Sequence, residues 1–169
     1  VTGGFDNGFM YKNWKMNVYF TYQFGNVIRL YPEFSAVYSD MSAMPKEMKN
    51  RWMQAGNEKY TDVPGIPSKR QVSNIENLNV AYNAYNYSDA RVANGAFIRL
   101  KEISLSYDFK GNWMKAVGMN NLQLRCVASN LWLIYSDKKL NGQDPEFFRS
   151  GGVAMPTPRQ FTLSVRTSF

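Results

Sequence analysis

The chain has 169 residues and a mass of 19.4 kDa, and 20 Lys and Arg against 13 Asp and Glu give it a formal net charge of +7. Its 44% hydrophobic residues are too many for a disordered chain, and no apolar run is long enough for a transmembrane helix. The single cysteine, Cys126, excludes an intrachain disulfide, and the absence of histidine excludes His-dependent catalysis and His-ligated zinc in this sequence.

Alternation of apolar and polar residues with a period of two is the strongest pattern and predicts five β-strands. Each predicted strand has roughly 9–13 residues, which is longer than the ~5–6 residues usual in soluble sheets and suits a tilted strand that crosses a bilayer. The alternation changes phase between Leu100 and Ile103, which predicts a β-bulge near Lys101 and Glu102. The predicted strands are 3–11, 14–24, 97–109, 122–132 and 159–169.

The connections between these strands alternate in length. Lys12-Asn13 forms a two-residue turn, in which we expect Asn13 to adopt positive φ. A connection of about 70 residues follows, from 25 to 96, then a short one at 110–121 and a longer one at 133–158. This alternation is typical of a transmembrane β-barrel, which has short turns on the periplasmic side and long loops outside.

The two faces of the predicted strands differ in polarity. One face is apolar and carries aromatic residues near the strand ends, as in the aromatic girdles of a membrane barrel, whereas the other is polar, as a water-filled lumen requires. The alternative is a soluble antiparallel sandwich with one dry face. The aromatic residues are Trp14, Phe24, Phe109, Trp132 and Phe169, and the polar ones are Lys15, Gln23, Arg125, Gln160 and Arg166.

The long connection carries the candidate contacts for a solute or a partner. Residues 45–54 predict a short helix within it, and Tyr and Asn are concentrated at 82–87. Flat rings stack and amides form hydrogen bonds, so these residue types suit sugar- and peptide-binding surfaces. The alternative is that they pack against their own loop. The candidate contact residues are Trp52, Tyr60, Tyr82, Tyr85 and Tyr87.

No pattern in the sequence indicates catalysis, a metal or a cofactor. Asp137, Asp144 and Glu146 do not have the spacing of a calcium loop, and acidic residues of surface turns explain them better. No pair of carboxylates suitable for a glycosidase can be identified. Cys126 falls on an apolar strand face, where a cysteine behaves as a small hydrophobic residue. We therefore expect a protein that is not an enzyme.

Five strands are too few to close a barrel, since about eight are needed, so they belong either to an assembly of several chains or to a piece of a larger barrel. An ordered series of short motifs over essentially the whole chain resembles the C-terminal end of the SusC/RagA family of TonB-dependent outer-membrane transporters. Asn57-Glu58 and Ala96 depart from the residues usual in that family. The motifs are Arg51-Trp52, Gly56-Asn57, Thr61 to Pro64, Gly95 to Tyr107, Asn130-Leu131, Gly142 to Glu146 and Pro156 to Phe169.

The resemblance implies an all-β fold in which residues 1–169 form the last strands of a large antiparallel transmembrane barrel. The long extracellular loop would be 25–96, and the plug and the TonB-interacting segment would lie upstream. It also implies energy from TonB, a SusD-like lipoprotein partner and import of glycans or oligopeptides. The chain would lie in the lipid of a Bacteroidetes-like outer membrane, with its C-terminus in the periplasm.

The terminal strand resembles the β-signal that the barrel assembly machinery of the outer membrane reads. An unpaired amphipathic edge strand can pair with a template strand, and the final aromatic residue would anchor it at the interface. The strand would also close the barrel against the first strand, and both roles are compatible. The residues assigned to this signal are Phe161, Leu163, Val165 and Phe169.

Two other classes of function compete with transport. A soluble β-sandwich could bind carbohydrate through the same loop tyrosines. A pI near 9.5 raises the class of basic sheets that bind nucleic acid. However, Lys and Arg are spread over loops and strands without a basic stripe interleaved with stacking aromatics. We therefore expect no nucleic-acid partner.

Overall fold

The computed structural model describes residues 1–39, 41, 43–148 and 155–168. Its strands are β1 (Thr2–Tyr11), β2 (Trp14–Gln23), β3 (Val27–Arg29), β4 (Val92–Asn94), β5 (Phe97–Phe109), β6 (Asn121–Tyr135) and β7 (Gln160–Ser168). Five of them form one antiparallel sheet in the spatial order β1-β2-β5-β6-β7. The five predicted strands are confirmed, and β6 extends three residues beyond its predicted end at 132.

The connections contain further short elements that alternation did not predict. β3 and β4 form a separate two-stranded sheet within the first long connection. The stretch 82–87 lies outside the large sheet, as expected, and belongs mostly to a helix. No helix in the described part of the chain is long and apolar enough to cross a bilayer. The helices are α1 (Lys69–Asn74), α2 (Leu78–Asn86) and α3 (Asn112–Ala116), with 3₁₀ turns at Lys46–Asn50, Asn57–Lys59, Asp89–Arg91 and Lys138–Leu140.

Two local predictions are corrected. The two-residue turn between β1 and β2 has its positive φ, 53°, at Lys12 and not at Asn13. The favoured hairpin turns all require positive φ at the first central position, which is the position of Lys12. The helix predicted at 45–54 is shorter, because only Lys46–Asn50 form a 3₁₀ helix before Arg51 returns to extended backbone.

The β-bulge predicted near Lys101 is present. Tyr19 of β2 lies opposite Glu102 and Phe20 lies opposite Leu100, so Lys101 is the extra residue. The register with β6 also shifts between Leu100 and Glu102. A bulge resets the period of two. As a result, the apolar residues before and after it lie on the same face of the sheet.

The register places the apolar residues of all five strands on one continuous face. Val18 lies opposite Ile103, which lies opposite Ala128, which in turn lies opposite Phe161. Within the described residues no second sheet packs on this face, and most of its large side chains are exposed. A dry sandwich core would bury them, so the arrangement supports a surface that faces lipid.

The opposite face of the sheet is polar, as predicted for a lumen. At the end of the sheet that carries the short turns, the Lys15 Nζ lies 2.8 Å from a carboxylate oxygen of Asp108. The Gln123 side chain donates a 2.6 Å hydrogen bond to the same carboxylate. Gln123 in turn lies opposite Arg166, and Arg125 lies opposite Ser164. These contacts join three strands across a wettable surface.

Candidate functional site

The two long connections fold together at one end of the sheet. We call residues 26–39, 41, 43–96 and 136–148 the loop unit, and the end of the sheet from which they leave the loop end. The antiparallel pair of β3 and β4 brings Ile28 opposite Ala93. These residues and Leu30 form a buried hydrophobic cluster with Leu140 and Phe148 of the second connection. The loop unit therefore has a core of its own, made from both connections.

Arg91 holds three stretches of the first connection together. Its guanidinium donates a 2.6 Å hydrogen bond to the Glu47 carboxylate and a 3.1 Å hydrogen bond to the backbone carbonyl of Tyr31. The same group lies 4.8 Å from the ring centroid of Phe34. Arg91 is only 2% exposed, and a buried cation needs such partners because water no longer solvates it.

Helix α2 positions the segment that follows β3. The buried side chain of Asn86, at the last turn of α2, accepts a 3.1 Å hydrogen bond from the Phe34 N–H. It also donates a 2.7 Å hydrogen bond to the Phe34 carbonyl. The ring of Tyr85 packs edge-on against the Phe34 ring at 5.1 Å. One amide thus satisfies both backbone groups of a buried residue that belongs to no regular element.

Ion pairs attach the second connection to the sheet at the loop end. Arg99, which lies opposite Thr21 on the polar face, is buried and pairs with Asp144 and, at 2.9 Å, with Glu146. Lys101, the bulge residue, lies 3.3 Å from Glu146. These acidic residues therefore hold a loop against the strand, and are not the surface turn residues that the sequence suggested.

Asp137 has a different structural role. Its carboxylate accepts a 2.7 Å hydrogen bond from the backbone N–H of Asn94, at the end of β4. It also accepts a 2.9 Å hydrogen bond from the Lys139 N–H, which caps the short 3₁₀ turn Lys138–Leu140. The side chain of Asp137 therefore links the second connection to the two-stranded sheet of β3 and β4.

A cavity of about 870 Å³ opens between the two connections. The Glu33 carboxyl lies in its wall, and burial raises the pKa of Glu33. The nearby Arg91 cation opposes this shift of the pKa, and the Glu47 carboxylate adds to it. Just over half of the other lining residues are aromatic, aliphatic or proline, and the remainder are polar or charged. The lining residues that matter below are Tyr31, Pro32, Met44, Pro45, Lys139 and Phe148.

Some of the candidate contact residues pack within the loop unit itself. The indole N–H of Trp52 donates a 2.9 Å hydrogen bond to the carbonyl of Thr61. The Tyr82 hydroxyl donates to the carbonyl of Gly65, and burial raises the pKa of Tyr82. Tyr85 packs on Phe34 as described above. Contacts within the loop unit therefore involve much of the side chain of each of these three residues.

Tyr60 and Tyr87 are the more accessible candidates. Tyr60 is 87% exposed and lies at a second cavity of about 510 Å³ that Tyr85 also lines. Tyr87, the residue directly after α2, is exposed, and the Arg29 guanidinium lies 6.0 Å from the centroid of its ring. These two rings are the ones that an external molecule can reach most freely.

The structure places three of the four residues that were predicted to form an assembly signal on one face of the last strand. Phe161, Leu163 and Val165 are exposed along the apolar face of β7, opposite Ala128, Cys126 and Leu124. Phe169 lies outside the described residues. The outer edge of β7 has no partner strand among the described residues.

Four residues of this site were missed by reasoning from the sequence: Glu33, Asn86, Arg91 and Arg99. The alternation of the strand marks Arg99 as a polar-face residue, but every other lumen-facing residue has the same pattern, so it does not single out Arg99. Glu47 and Arg91 are 44 residues apart, and no local pattern predicts such a pair.

The comparisons with known proteins agree with the fold. No family model matches the chain. The chain is 27% identical over 161 residues to "TonB-dependent receptor P39" of Formosa agariphila, and 26% identical over 145 residues to "TonB-dependent receptor P3" of that organism. The alignments cover 91% and 86% of this chain, but only 14% and 12% of the two relatives. The chain thus corresponds to a small part of each receptor.

Solved structures with a similar fold include two of the RagAB system. The RagAB peptide importer in an "open-open" state matches 99% of this chain and 17% of its own chain, with a TM-score of 0.65 and 21% identity. The RagAB peptide transporter matches with the same coverage, a TM-score of 0.66 and 22% identity. The open five-stranded sheet therefore has the fold of a barrel segment, and the resemblance to the SusC/RagA family is confirmed.

Proposed function

We propose that this chain, a segment of a SusC/RagA-family TonB-dependent receptor, takes part in the active import of glycans or oligopeptides across a bacterial outer membrane. The observation that carries the proposal is the continuous apolar face of a five-stranded sheet whose opposite face is polar. The names of the similar proteins, which are receptors and a peptide importer, support transport over catalysis.

Aromatic residues at both ends of the apolar face support a position in a bilayer. At the turn end the rings of Trp14 and Tyr107 lie 4.7 Å apart, and those of Tyr107 and Phe109 lie 4.8 Å apart. At the loop end the rings of Tyr22 and Phe24 lie 5.6 Å apart. A strand that runs from Trp14 to Phe24 and is tilted by about 40° rises roughly 25 Å, which is the height of the apolar band of an outer-membrane barrel.

The proposed orientation and partners are consistent with this placement. The short turns and the C-terminus would lie in the periplasm, and the loop unit would lie outside the cell. A SusD-like lipoprotein would cover the loop unit, where Tyr60 and Tyr87 are exposed and Trp52 is half-exposed. TonB would act through a segment upstream of this chain.

Fractionation and uptake in cells test this proposal. We expect the native polypeptide that contains this sequence to be extracted only with detergent, with a mass several times 19.4 kDa. We also expect uptake of labelled oligopeptides or oligosaccharides to require both the receptor and TonB. A soluble polypeptide of 19.4 kDa would instead support the carbohydrate-binding sandwich.

We also propose that β7 carries the assembly signal. An edge strand with exposed apolar side chains at Phe161, Leu163 and Val165 can pair with a template strand in the assembly machinery. Deletion of Phe169 should reduce the amount of assembled receptor in the outer membrane, measured by its heat-modifiable mobility in gels. Ser168→Ala is the control, and normal assembly of the truncated receptor would contradict the proposal.

A further inference from the structure

The cavity of the loop unit holds two carboxylates, Glu33 and Glu47, near one buried cation, Arg91. Among the ion pairs and hydrogen bonds of the described residues, none involves the Glu33 side chain. Arg91 also lines the cavity, but it is committed to Glu47 and to the carbonyl of Tyr31. Glu33 is partly buried, so its charge is poorly solvated, and an incoming cation would stabilise it.

The other charged groups of the cavity do not compete for the same role. Lys46 and Lys139 line it, but both are exposed and therefore remain hydrated at its rim. Glu47 is neutralised by Arg91 at 2.6 Å. Hence Glu33 is the one partly buried charge among the described lining residues that has no ion pair of its own.

The walls around Glu33 suit an apolar stem that ends in a cation. Two prolines cost no side-chain entropy on binding, and aromatic rings and a methionine contact methylene groups well. A cavity of about 870 Å³ is large enough for a long side chain and part of its backbone. The lining groups concerned are Tyr31, Pro32, Met44, Pro45 and Phe148.

We propose that this cavity binds the Lys or Arg side chain of an oligopeptide, with the Glu33 carboxylate as its counter-ion. The inference rests on the proposed import function and assigns peptides with a cationic side chain as its substrate class. A neutral glycan would leave Glu33 unpaired, and an acidic glycan would be repelled by it. A lysine stem fills the apolar walls and brings an ammonium to the carboxylate.

Binding of two blocked pentapeptides to the full-length receptor in detergent tests the proposal. The probes are acetylated, amidated Ala-Ala-Lys-Ala-Ala and the same peptide with norleucine at the centre, which is equally apolar in its stem but uncharged. We expect the lysine peptide to bind about tenfold more tightly in calorimetry, because one charge-assisted contact is gained. Equal affinities for the native receptor would overturn the proposal.

Variants of the receptor assign the effect to one residue. Glu33→Gln should remove the preference for the lysine peptide, and Glu33→Asp should retain part of it. Glu76→Gln makes the same change of charge at an exposed position of the same connection, outside the cavity, and should preserve the preference. A Glu33→Gln receptor that keeps the full preference would contradict the role of Glu33. Heat-modifiable mobility in gels checks that each variant is assembled.

The dependence on pH has a definite sign. The carboxylate form binds the ammonium, and the pKa of Glu33 is raised by burial. Affinity for the lysine peptide should therefore be highest at neutral pH and fall as the pH is lowered through that raised pKa, whereas affinity for the norleucine peptide should stay constant. A preference that does not change with pH would also overturn the proposal.

This binding measurement is independent of the proposed import function, because it is made at equilibrium and without TonB. If the preference is found but TonB-dependent uptake is absent, the import function fails and the cation site stands. If uptake is found but the receptor shows no preference, the cation site fails and import stands.

Discussion

In the large sheet, Phe161 and Leu163 are 76% and 66% exposed, whereas in the loop unit Leu140 and Ile28 are 1% and 3% exposed. Both regions contain many apolar residues, but most of the buried ones lie in the loop unit, and Phe97 of β5 is an exception in the sheet. The sheet presents its other apolar residues on an outer face, as a protein does when lipid is its solvent. Apolar side chains are therefore mostly exposed on the outer face of the sheet, whereas in the loop unit they form a buried core.

Polar residues show the reverse contrast. On the sheet they line an open wall, where contacts such as the one between Lys15 and Asp108 leave the lysine half-exposed. In the loop unit some of them are buried and hydrogen-bonded, as Asn86 and Arg91 are. The wall remains wettable, whereas the loop unit is held in one shape by a few buried polar contacts.

The largest expected effect concerns the link between the two regions. Among the described residues, Arg99→Met leaves Asp144 without an ion pair and Glu146 with Lys101 alone, and breaking a buried ion pair from one side costs roughly 3–5 kcal/mol. We expect the second connection to leave the sheet and residues 136–148 to be cleaved much faster by proteases added to intact cells.

Arg125→Met is the matched control for this prediction. Arg125 lies on the same polar face and has no ion pair among the described residues. Its loss should leave the rate of proteolysis unchanged, and both variants should still assemble as barrels. Equal cleavage of the native and Arg99→Met receptors would show that the ion pairs do not hold the loop.

A second prediction separates the two faces of the sheet. Val18 lies on the apolar face between the two aromatic groups, so Val18→Arg should destabilise the folded barrel by about 2–4 kcal/mol. The measurement is reversible unfolding of the full receptor in denaturant. Asn17→Arg is the control, because its side chain would lie on the polar face beside Asp6, the present partner of Asn17. If both variants lose equal stability, the assignment of the lipid face is wrong.

The smallest expected effect is within the loop unit. Asn86→Ala leaves the N–H and carbonyl of Phe34 without their partners, which costs roughly 1–3 kcal/mol for local opening. Hydrogen exchange at residues 30–38 should therefore be faster, while exchange in β2 and β5 stays the same. Asn83→Ala, on the exposed side of the same helix, should change neither. Unchanged exchange at Phe34 would refute the role of Asn86.

Reasoning from the sequence succeeded where the signal was local. Alternation over nine or more residues predicted every strand of the large sheet, because a strand with one face in lipid and one in water must alternate. The change of phase at Lys101 predicted the bulge for the same reason. Trp52, Tyr82 and Tyr85 were chosen for their chemistry alone, and the structure uses much of each side chain for internal packing.

The sequence by itself thus determined the strands, their two faces and the resemblance to the SusC/RagA family, since each depends on residues that are neighbours in the chain. Only the tertiary structure decided which residues meet at the loop end. Leu140 packs with Ile28, and Asp144 pairs with Arg99, across separations of 112 and 45 residues. Such contacts depend on how two irregular connections fold over each other. Neither connection repeats a periodic pattern, so no local rule specifies which of its side chains become partners.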